Sequence, residues 1–388
     1  MSCLPRKSSL FLMMLSLPSI DFMEIYSGQL PLSYPSAVAY CCQEEAPLIF
    51  VRLRHESGME GWGVAAPDPH VTGETPAAVT DFLASETARN VIKRGFNPQI
   101  AEMSCTPDLV ARHNPAACAA ISMAMADLQG RLCGMPVYAL LNGRPRPIPT
   151  SYTISLLPMG DSLRQVRMAI KHGFSILKIK LGEDAKSDAL RVKEIRRETG
   201  PGVKIRLDAN QAYTPEEALR LVSLLDSNGI EFLEQPTPAQ DLEGLEFLAS
   251  QSPLPIMADE SALNSGETRN LLSRGIVRLV NIKLMKCGGI EDALATDRIC
   301  GEFRASAMIG CMDESSLSIT ASLHVMLGSR HIQYADLDGH VDIEGDPADG
   351  SLLLRDGILY PPIGPGLGMR VSLEALSSFE RRRFKLDK

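Results

Sequence analysis

The sequence predicts an α/β protein in which eight parallel strands close into a barrel beside a smaller α+β domain. Three observations predict the barrel. Carboxylates end three successive apolar segments, at Asp208, Glu234 and Asp259. Lysines occupy the same kind of position, at Lys180 and Lys283, and neighbours in this set lie 24 to 28 residues apart. One strand and one crossover helix need about that length. Because the carboxyl ends of parallel barrel strands surround one mouth, we expect the five side chains to converge there.

From residue 148 onward the chain alternates short apolar segments with amphipathic ones. Short apolar runs are typical of parallel strands that are covered on both faces. The segments predicted as strands are Ser151–Ser155, Ile176–Leu181, Val203–Asp208, Ile230–Glu234, Ile256–Asp259, Leu279–Lys283, Ala307–Gly310 and His331–Asp336. The helices predicted between them include Ser162–His172, Ala185–Thr199 and Pro215–Ser227. The alternative is an open doubly wound sheet, but no GxGxxG or GxxxxGK[ST] phosphate loop follows an early strand.

The remaining segments predict a domain that precedes the barrel and a tail that follows it. We expect an α+β domain over residues 20–147, the barrel over 148–339, and a C-terminal segment, 340–388, that returns to the first domain. In the first domain the predicted strands are Ile20–Leu30, Leu48–Glu56 and Trp62–Ala66, and the predicted helices span about 76–94 and 115–133. A hairpin is predicted in the tail, from Ser351–Leu354 and Gly357–Tyr360.

The first residues need a separate interpretation. Arg6 and Lys7 precede an apolar run, Leu10–Leu17, as in a short signal peptide, but no small-x-small cleavage site follows. The run is also too short to span a bilayer. A signal, an extension and a natural start near Met23 all remain open, and we expect residues 1–19 to lie outside the fold.

Composition limits the classes of partner. A net charge of −8 and a pI near 5.5 leave no basic surplus to neutralise phosphates, which argues against nucleic acid. Nine scattered cysteines without a CxxC favour thiols in a reducing compartment. We therefore expect a cytoplasmic homo-oligomer that acts on a small molecule, without a membrane partner; export by the N-terminal segment is the alternative.

The three carboxylates predict a divalent-metal site. Any one of Asp208, Glu234 and Asp259 could simply pair with a lysine, but three crowded at one mouth repel one another. A hard cation relieves that repulsion, and an oxygen-only set without Cys or His favours Mg²⁺ over Zn²⁺. Asn210, two residues past Asp208, is a plausible partner that orients a ligand.

The lysines predict an acid/base pair. Lys178 and Lys180 are two residues apart, so on a strand they point the same way. Facing the barrel interior, their mutual repulsion and the metal's charge would lower their pKa values and make a neutral amine available as a base. If they faced outward instead, Leu177 and Ile179 would fill the centre beside the acids. Lys286, in the loop after Lys283, is expected to be solvated.

The set KIK, LDAN, LEQP, ADES and NIKLMKCGG resembles the muconate-lactonising subgroup of the enolase superfamily over nearly the whole chain. The resemblance implies a (β/α)₇β modified TIM barrel with an α+β capping domain. It implies one Mg²⁺ per subunit on Asp208, Glu234 and Asp259, with Lys180 and Lys283 as acid/base residues on opposite faces of a substrate carbon. The shared step is removal of the proton α to a carboxylate, giving an enediolate.

Two further segments narrow the resemblance. MIGCMDESSLSITASLH and YADLDGH are similar to the dipeptide epimerases, of which L-Ala-D/L-Glu epimerase is the type. The resemblance implies that Asp336 and Asp338 hold the substrate's α-ammonium group and that Lys178 polarises the substrate carboxylate and tunes Lys180. A solvated loop or added metal ligation is the alternative for the two acids. Glu314 could be a structural partner or a partner of the substrate carboxylate.

Substrate preference depends on the capping loops. Glu-specific members of the family use a basic residue from an early loop, whereas the stretch from residue 30 to 47 has no Lys or Arg and contains Glu44 and Glu45. We therefore expect an isomerase that inverts the C-terminal residue of neutral, hydrophobic or cationic dipeptides. The segment Asp68–Glu74 either closes over the mouth or connects domains. The alternatives are o-succinylbenzoate synthase, N-acylamino-acid racemase or muconate cycloisomerase of the same subgroup, and a non-catalytic homologue.

Overall fold

The structure, a computed structural model, describes residues 19–98, 109–350 and 352–386. The predicted extension over residues 1–19 therefore lies outside the described residues, apart from Ser19. Within the described ranges all seven cysteines are free thiols. No helix of these ranges is both long and apolar enough to cross a membrane.

An antiparallel sheet opens the chain, and the tail completes it. Its strands are β1 (Ile20–Val38), β2 (Cys41–His55) and β3 (Glu60–Ala65), and the C-terminal strand Glu380–Lys385 pairs with β1. The first and last described strands thus meet in one sheet, beside the barrel.

The hairpin of β1 and β2 is much longer than the sequence predicted. The predicted strands stopped at Leu30 and resumed at Leu48, whereas the observed pairing continues through the intervening residues. Pro31 and Pro35 concealed the extension, because proline cannot donate to a strand ladder and is tolerated only at edges and bulges. The pairing register shifts between Pro31 and Ser36, which is where the prolines are accommodated.

The tip of this hairpin reaches the barrel. The amide of Ser33 donates to the carbonyl of Asp342 at 2.8 Å, and the amide of Leu156 donates to the carbonyl of Ala37 at 2.8 Å. Both contacts lie on the side where the barrel strands end, so the first domain caps the mouth.

The prediction of one continuous helix over residues 76–94 was wrong. Two helices stand there, Pro76–Leu83 and Glu86–Lys93. The hydroxyl of Ser85 accepts a hydrogen bond from the amide of Ala88 at 3.2 Å, which satisfies a free amide at the start of the second helix. The long helix Pro115–Cys133 has the predicted bounds.

Two glycines let this long helix lie directly on the opening sheet. A Cβ at Gly61 would stand 2.1 Å from the carbonyl oxygen of Ala124, and one at Gly63 would stand 2.0 Å from that of Ala120. Because these atoms belong to the backbone, no side-chain movement could relieve the clash. The small residues on both elements therefore set the packing of helix against sheet.

Eight parallel strands form the barrel, in chain order around the sheet, and the predicted fold class is confirmed. The short β4 (Ile148–Pro149) precedes them. The barrel strands are β5 (Tyr152–Ile154), β6 (Ile176–Lys180), β7 (Lys204–Asp208), β8 (Ile230–Glu234), β9 (Ile256–Ala258), β10 (Leu279–Ile282), β11 (Ser306–Ile309) and β12 (Ile332–Ala335). The amide of Ser151 donates to the carbonyl of Ala335 at 3.3 Å, which brings the first and last strands together.

Helices connect the barrel strands, and short strands follow them. The helices described around the barrel are Met159–Lys171, Ala185–Thr199, Pro215–Leu224, Leu242–Gln251, Ser265–Ser273, Leu284–Cys287, Ile290–Glu302 and Ser316–Gly328, while Leu109–His113 and Val137–Leu140 flank the long capping helix. The tail contains the strands Ala348–Gly350, Leu353–Arg355, Ile358–Tyr360 and Met369–Val371 and a 3₁₀ turn, Ala375–Ser378. Leu353–Arg355 and Ile358–Tyr360 form the predicted hairpin.

Strand register places the predicted site residues side by side. In the parallel ladders Lys180 pairs with Asp208, and Asp208 pairs with Glu234. Because side chains alternate along a strand, Lys178 lies on the same face as Lys180. The ladder therefore puts two ammonium groups and two carboxylates on the interior of three adjacent strands.

Candidate active site

The three predicted metal-binding carboxylates come together at the barrel mouth. Asp208 and Glu234 are the last residues of β7 and β8, and Asp259 follows β9 directly. All three are fully buried. In the described part of the chain, however, no group of three or more His, Cys, Asp or Glu stands close enough to form a ready-made metal cluster. Lysine ammonium groups lie among the carboxylates instead.

Lys178 lies at the centre of this charge network. Its Nζ is 2.7 Å from Asp336 Oδ2, 3.0 Å from Asp208 Oδ2 and 3.4 Å from Glu234 Oε2. The side chain is almost completely buried. Lys178 therefore faces the barrel interior, and the outward-facing alternative was wrong.

The Lys180 ammonium group is held by one residue at the end of the next strand, Asp208, and by one residue in the loop after it, Asn210. Its Nζ donates to Asp208 Oδ2 at 2.7 Å and to Asn210 Oδ1 at 3.0 Å. Burial opposes ionisation of Asp208, but Lys180 and Lys178 outweigh burial and lower the pKa of this carboxyl to about 2. Asp208 is therefore an anion at neutral pH.

Lys283 and Lys286 both bind Asp259. Lys283 Nζ donates to Asp259 Oδ2 at 2.9 Å, while Lys286 Nζ contacts Oδ1 of the same carboxylate and donates to the carbonyl of Asn281 at 2.9 Å. The prediction that Lys286 is solvated was wrong, because its side chain is fully buried. The single helical turn Leu284–Cys287 after β10 folds the side chain back under the mouth.

Facing carboxylates raise the pKa values of Lys283 and Lys178. Burial disfavours the charged form of Lys283, but Asp259 outweighs burial, so the pKa of this ammonium group lies above its usual value. Burial also acts on Lys178, where Asp336 and Glu234 raise the pKa well above its usual range. For Lys178 this direction is opposite to the predicted lowering, because its ammonium group faces carboxylates directly.

Glu234 is the carboxylate whose surroundings best fit a bound cation. Its Oε1 accepts a hydrogen bond from Asn281 Nδ2 at 2.7 Å, whereas its buried Oε2 accepts no hydrogen bond from the described residues and faces the Lys178 ammonium group at 3.4 Å. Burial and the neighbouring Asp208 raise the pKa of Glu234 to about 8. A divalent cation beside Oε2 would satisfy this oxygen and stabilise the anion, and carboxylate oxygens are the ligands that Mg²⁺ prefers.

Two residues of the site escaped the sequence analysis. Asn281 orients Glu234, and Glu260 accepts a hydrogen bond from Asn210 Nδ2 at 3.2 Å. Both residues belong to motifs recognised in the sequence, Asn281 to NIK and Glu260 to ADES. Their position near a strand end is the signal that could have identified them as site residues. Asn210, predicted as an orienting partner of a ligand, donates its backbone amide to Asp208 Oδ1 at 3.1 Å and accepts from Lys180 through its side-chain oxygen.

Asp336 and Asp338 follow the last barrel strand and line the same cavity as the lysines. Asp336 accepts hydrogen bonds from Lys178 and from the hydroxyl of Ser151 at 2.5 Å, and Asp338 accepts one from the amide of Thr153 at 2.5 Å. Burial and the adjacent Asp336 raise the pKa of Asp338 to about 7. Both acids are buried, so the alternative of a solvated loop was wrong.

The cap supplies the outer wall of the cavity. Most of this wall was not predicted from the sequence, because it belongs to the part of the β1–β2 hairpin that continues past the predicted strands. The cap residues that line the cavity are Ser36, Val38, Tyr40, Cys41, Gln43, Pro47, Ala66, Pro67, Asp68 and Val71. From the barrel loops Cys311, Met312 and Asp313 join them. Asp68 and Val71 show that the segment Asp68–Glu74 does reach the mouth.

Glu314 lies beneath this wall. It is buried, and its Oε1 accepts a hydrogen bond from the amide of Met312 at 3.3 Å. Glu314 is absent from the cavity lining, while its neighbour Asp313 belongs to it. Between the two roles considered for Glu314, this position favours the structural one.

Two family matches cover most of the chain, one in the capping domain and one over most of the barrel and part of the tail. Residues 23–142 match the N-terminal domain of mandelate racemase and muconate lactonizing enzyme, and residues 161–375 match the enolase C-terminal domain-like family. The chain therefore belongs to the mandelate racemase and muconate lactonizing enzyme group of the enolase superfamily.

Within that group the chain is similar to dipeptide epimerases. The hydrophobic dipeptide epimerase of Enterococcus faecalis is 35% identical over 355 residues, which cover 91% of this chain and 99% of the relative. The L-Lys-D/L-Arg epimerase of Methylococcus capsulatus is 35% identical over 352 residues, covering 89% and 98%. A crystal structure of the Enterococcus faecalis dipeptide epimerase, complexed with Mg and the dipeptide L-Leu-L-Tyr, has a TM-score of 0.82 at 35% identity, covering 90% and 99%. The predicted family is confirmed.

Proposed function

We propose that this chain is a Mg²⁺-dependent dipeptide epimerase that inverts the α-carbon of the C-terminal residue by proton transfer between Lys180 and Lys283. One observation carries the proposal: both lysines line one cavity together with Asp336 and Asp338. Lys180 ends β6 and Lys283 follows β10, on opposite sides of an eight-stranded barrel. A substrate carbon between them would meet one amine on each face.

The buried acids and Lys178 support a substrate with two charged ends. Asp338, with Asp336 beside it, presents carboxylate oxygens to the cavity, which suits the α-ammonium group of a dipeptide. Lys178 faces the same cavity and provides a cation for the substrate carboxylate. Charge-assisted hydrogen bonds of this kind bind more strongly than neutral ones and fix orientation.

Mg²⁺ would be held by Asp208, Glu234 and Asp259. When bound, the cation supplies positive charge where the substrate carboxylate gains electron density as its α-proton leaves. The protein's own residues then perform the proton transfer. With a cation at Asp208 and Asp259, Lys180 and Lys283 would be released from these carboxylates. The lysine that is a neutral amine would then accept the α-proton, and the other, as an ammonium group, would donate a proton to the opposite face of the carbon.

The capping region, residues 20–147 with 340–388, selects the substrate side chains in this proposal. The outer wall includes Asp68, Asp313 and Asp342, and in the lining of the cavity the cations are Lys178 and the two acid/base lysines alone. Glu44 and Glu45 line an adjoining groove. An acidic wall repels a Glu side chain, which supports neutral, hydrophobic or cationic dipeptides.

Incubation of a dipeptide library with the enzyme and Mg²⁺ in D₂O, followed by mass spectrometry and chiral analysis, tests the proposal. We expect one deuterium at the α-carbon of the C-terminal residue together with inversion, and the fastest exchange with dipeptides that lack acidic side chains. Neither exchange nor inversion in any dipeptide would contradict the proposal. The double variant Lys180→Ala/Lys283→Ala is the inactive control.

A further inference from the structure

Asn210 links Lys180 to Glu260, an acid to which the proposed chemistry gives no role. Asn210 Oδ1 accepts from Lys180 Nζ at 3.0 Å, and Asn210 Nδ2 donates to Glu260 Oε1 at 3.2 Å. Glu260 is buried, and among the described residues its Oε2 has no hydrogen-bond partner. A buried carboxylate with one neutral partner is costly unless its position is used.

Chemistry fixes the orientation of the Asn210 amide. An ammonium group can only donate, so the amide oxygen must face Lys180, and the amide nitrogen is left to donate to a carboxyl oxygen of Glu260. Without Glu260 the amide nitrogen would lose this acceptor, and Lys180 alone would hold the amide in place. Glu260 therefore reinforces the orientation in which the amide oxygen meets the lysine.

The backbone at Asn210 is held in an unusual conformation to make this contact. Its φ is 42°, in the left-handed region, and its amide donates to Asp208 Oδ1 at 3.1 Å. A non-glycine residue in this region stores strain that the surroundings must offset, although asparagine tolerates it better than most. The strained turn aims the side chain at Lys180 instead of into solvent.

The other acid/base lysine has no comparable support. Among the described residues Lys283 Nζ has one hydrogen-bond acceptor, Asp259, whereas Lys180 Nζ has Asp208 and the amide oxygen of Asn210. The hydrogen-bonded path from Glu260 through Asn210 thus ends at Lys180. Lys283 receives no hydrogen bond along this path, although the charge of Glu260 adds to that of Asp259 in raising the pKa of Lys283.

We propose that Glu260 is a positioning residue that acts through Asn210 to hold Lys180, and that this contact serves the half of the proton transfer which Lys180 performs. The inference rests on the proposed function, since it assigns Glu260 to one step of that reaction. A dipeptide epimerase has two such halves, because each epimer loses its proton to the amine on its own side.

Separate α-deuterium exchange of the L,L- and L,D-epimers in D₂O tests the inference. Lys180→Ala first identifies the epimer that depends on Lys180. In Glu260→Met and Asn210→Gly we expect exchange of that epimer to slow by about 10- to 100-fold, with exchange of the other epimer retained. Glu260→Gln is expected to keep most of the wild-type exchange rate, because the amide oxygen of the glutamine can still accept a hydrogen bond from Asn210. Glu291→Gln is the matched control, a substitution of an acid that accepts from Ser122 and does not line the cavity.

A second readout does not need turnover. Competitive acetylation of the lysines, followed by mass spectrometry, is expected to label Lys180 faster relative to Lys283 in Glu260→Met, because the Lys180 ammonium group loses an acceptor and becomes freer. Equal slowing of both epimers, in parallel with weaker Mg²⁺ binding in calorimetry, would overturn the inference, as would an unchanged acetylation ratio. If wild-type enzyme exchanges no dipeptide, the proposed function fails, and the acetylation ratio alone decides whether Glu260 positions Lys180.

Discussion

Lys178 Nζ lies 2.7 Å from Asp336 Oδ2 and 3.0 Å from Asp208 Oδ2, so one buried ammonium group joins the carboxylates of the proposed metal site to those of the proposed ammonium site. Lys178 comes from β6, Asp208 from β7, and Asp336 from the end of β12. The contact ties the two halves of the site across the point where the barrel closes. Changes at one half are therefore expected to reach the other.

Asp338→Ala is expected to impair dipeptides with a free amino terminus. A hydrogen bond to a charged group contributes about 1.5–3 kcal/mol, so KM should rise by about tenfold or more. Steady-state kinetics with a dipeptide and with its N-acetylated form measures the effect. Full activity of Asp338→Ala on N-acylated substrates would favour the racemase alternative.

Lys286→Met is expected to destabilise the protein although it removes no group from the cavity. Lys286 is buried against Asp259, and removing one partner of a buried ion pair costs about 3–5 kcal/mol. Guanidinium unfolding in the presence of EDTA gives the free energy of unfolding, with the exposed Lys171→Met as control. Equal unfolding midpoints for both variants would show that the pair contributes nothing.

Mg²⁺ is expected to stabilise the folded protein as well as to support exchange. Ligand at about 100 times its Kd raises the free energy of unfolding by about 2.7 kcal/mol. Thermal unfolding with and without Mg²⁺ measures this, and chelation should abolish exchange until Mg²⁺ is restored. In Glu234→Gln, whose buried Oε2 is replaced by an amide nitrogen, calorimetry should show weaker Mg²⁺ binding. Mg²⁺ without effect on either melting or exchange would refute the assigned metal site.

Acid is expected to weaken the contact between cap and barrel at His324. Its Nδ1 accepts from the amide of Tyr138 at 3.0 Å, and its Nε2 lies 3.2 Å from the carbonyl of Leu367. Burial lowers the pKa of His324 to about 4. Protonation would turn Nδ1 into a donor that faces another donor.

The direction of the pH effect follows from where the proton binds. Between pH 6.5 and about 4 the unfolded state binds a proton that the folded state does not, so the His324 contribution to stability is lost as the pH falls through this window. The loss is on the order of 3 kcal/mol. The free energy of unfolding of the wild-type protein and of His324→Gln, measured across this pH range, isolates the contribution of His324, because both proteins share the other titrating groups. Parallel pH curves for the two proteins would show that His324 contributes none of the dependence.

The barrel and its charged mouth could be predicted because strand ends repeat at a regular interval. Asp208, Glu234 and Asp259 each follow an apolar run of strand length, and parallel topology forces such positions to one mouth. This periodicity carries no information about how the loop after a strand folds. Lys286 was therefore wrongly predicted to be solvated. Its position depends on a single helical turn that buries the side chain behind Asp259.

The cap was less predictable because its contacts depend on a hairpin interrupted by prolines. Pro31 and Pro35 suppress the strand pattern, yet the bulge between them lets the pairing continue to the mouth. Ser36 and Tyr40 therefore line the cavity without any motif that marks them. Glu260 was overlooked for a different reason, since its proposed role depends on a hydrogen bond from Asn210, in the loop after β7.

Separate exchange of the two epimers in D₂O by Lys180→Ala and by Lys283→Ala tests the central claim most directly. The account predicts that neither variant inverts its substrate and that each retains α-deuterium exchange with only one epimer, the two variants retaining opposite ones. Loss of exchange with the same epimer in both variants, or full inversion by either, would contradict the placement of the two lysines on opposite faces of the substrate carbon.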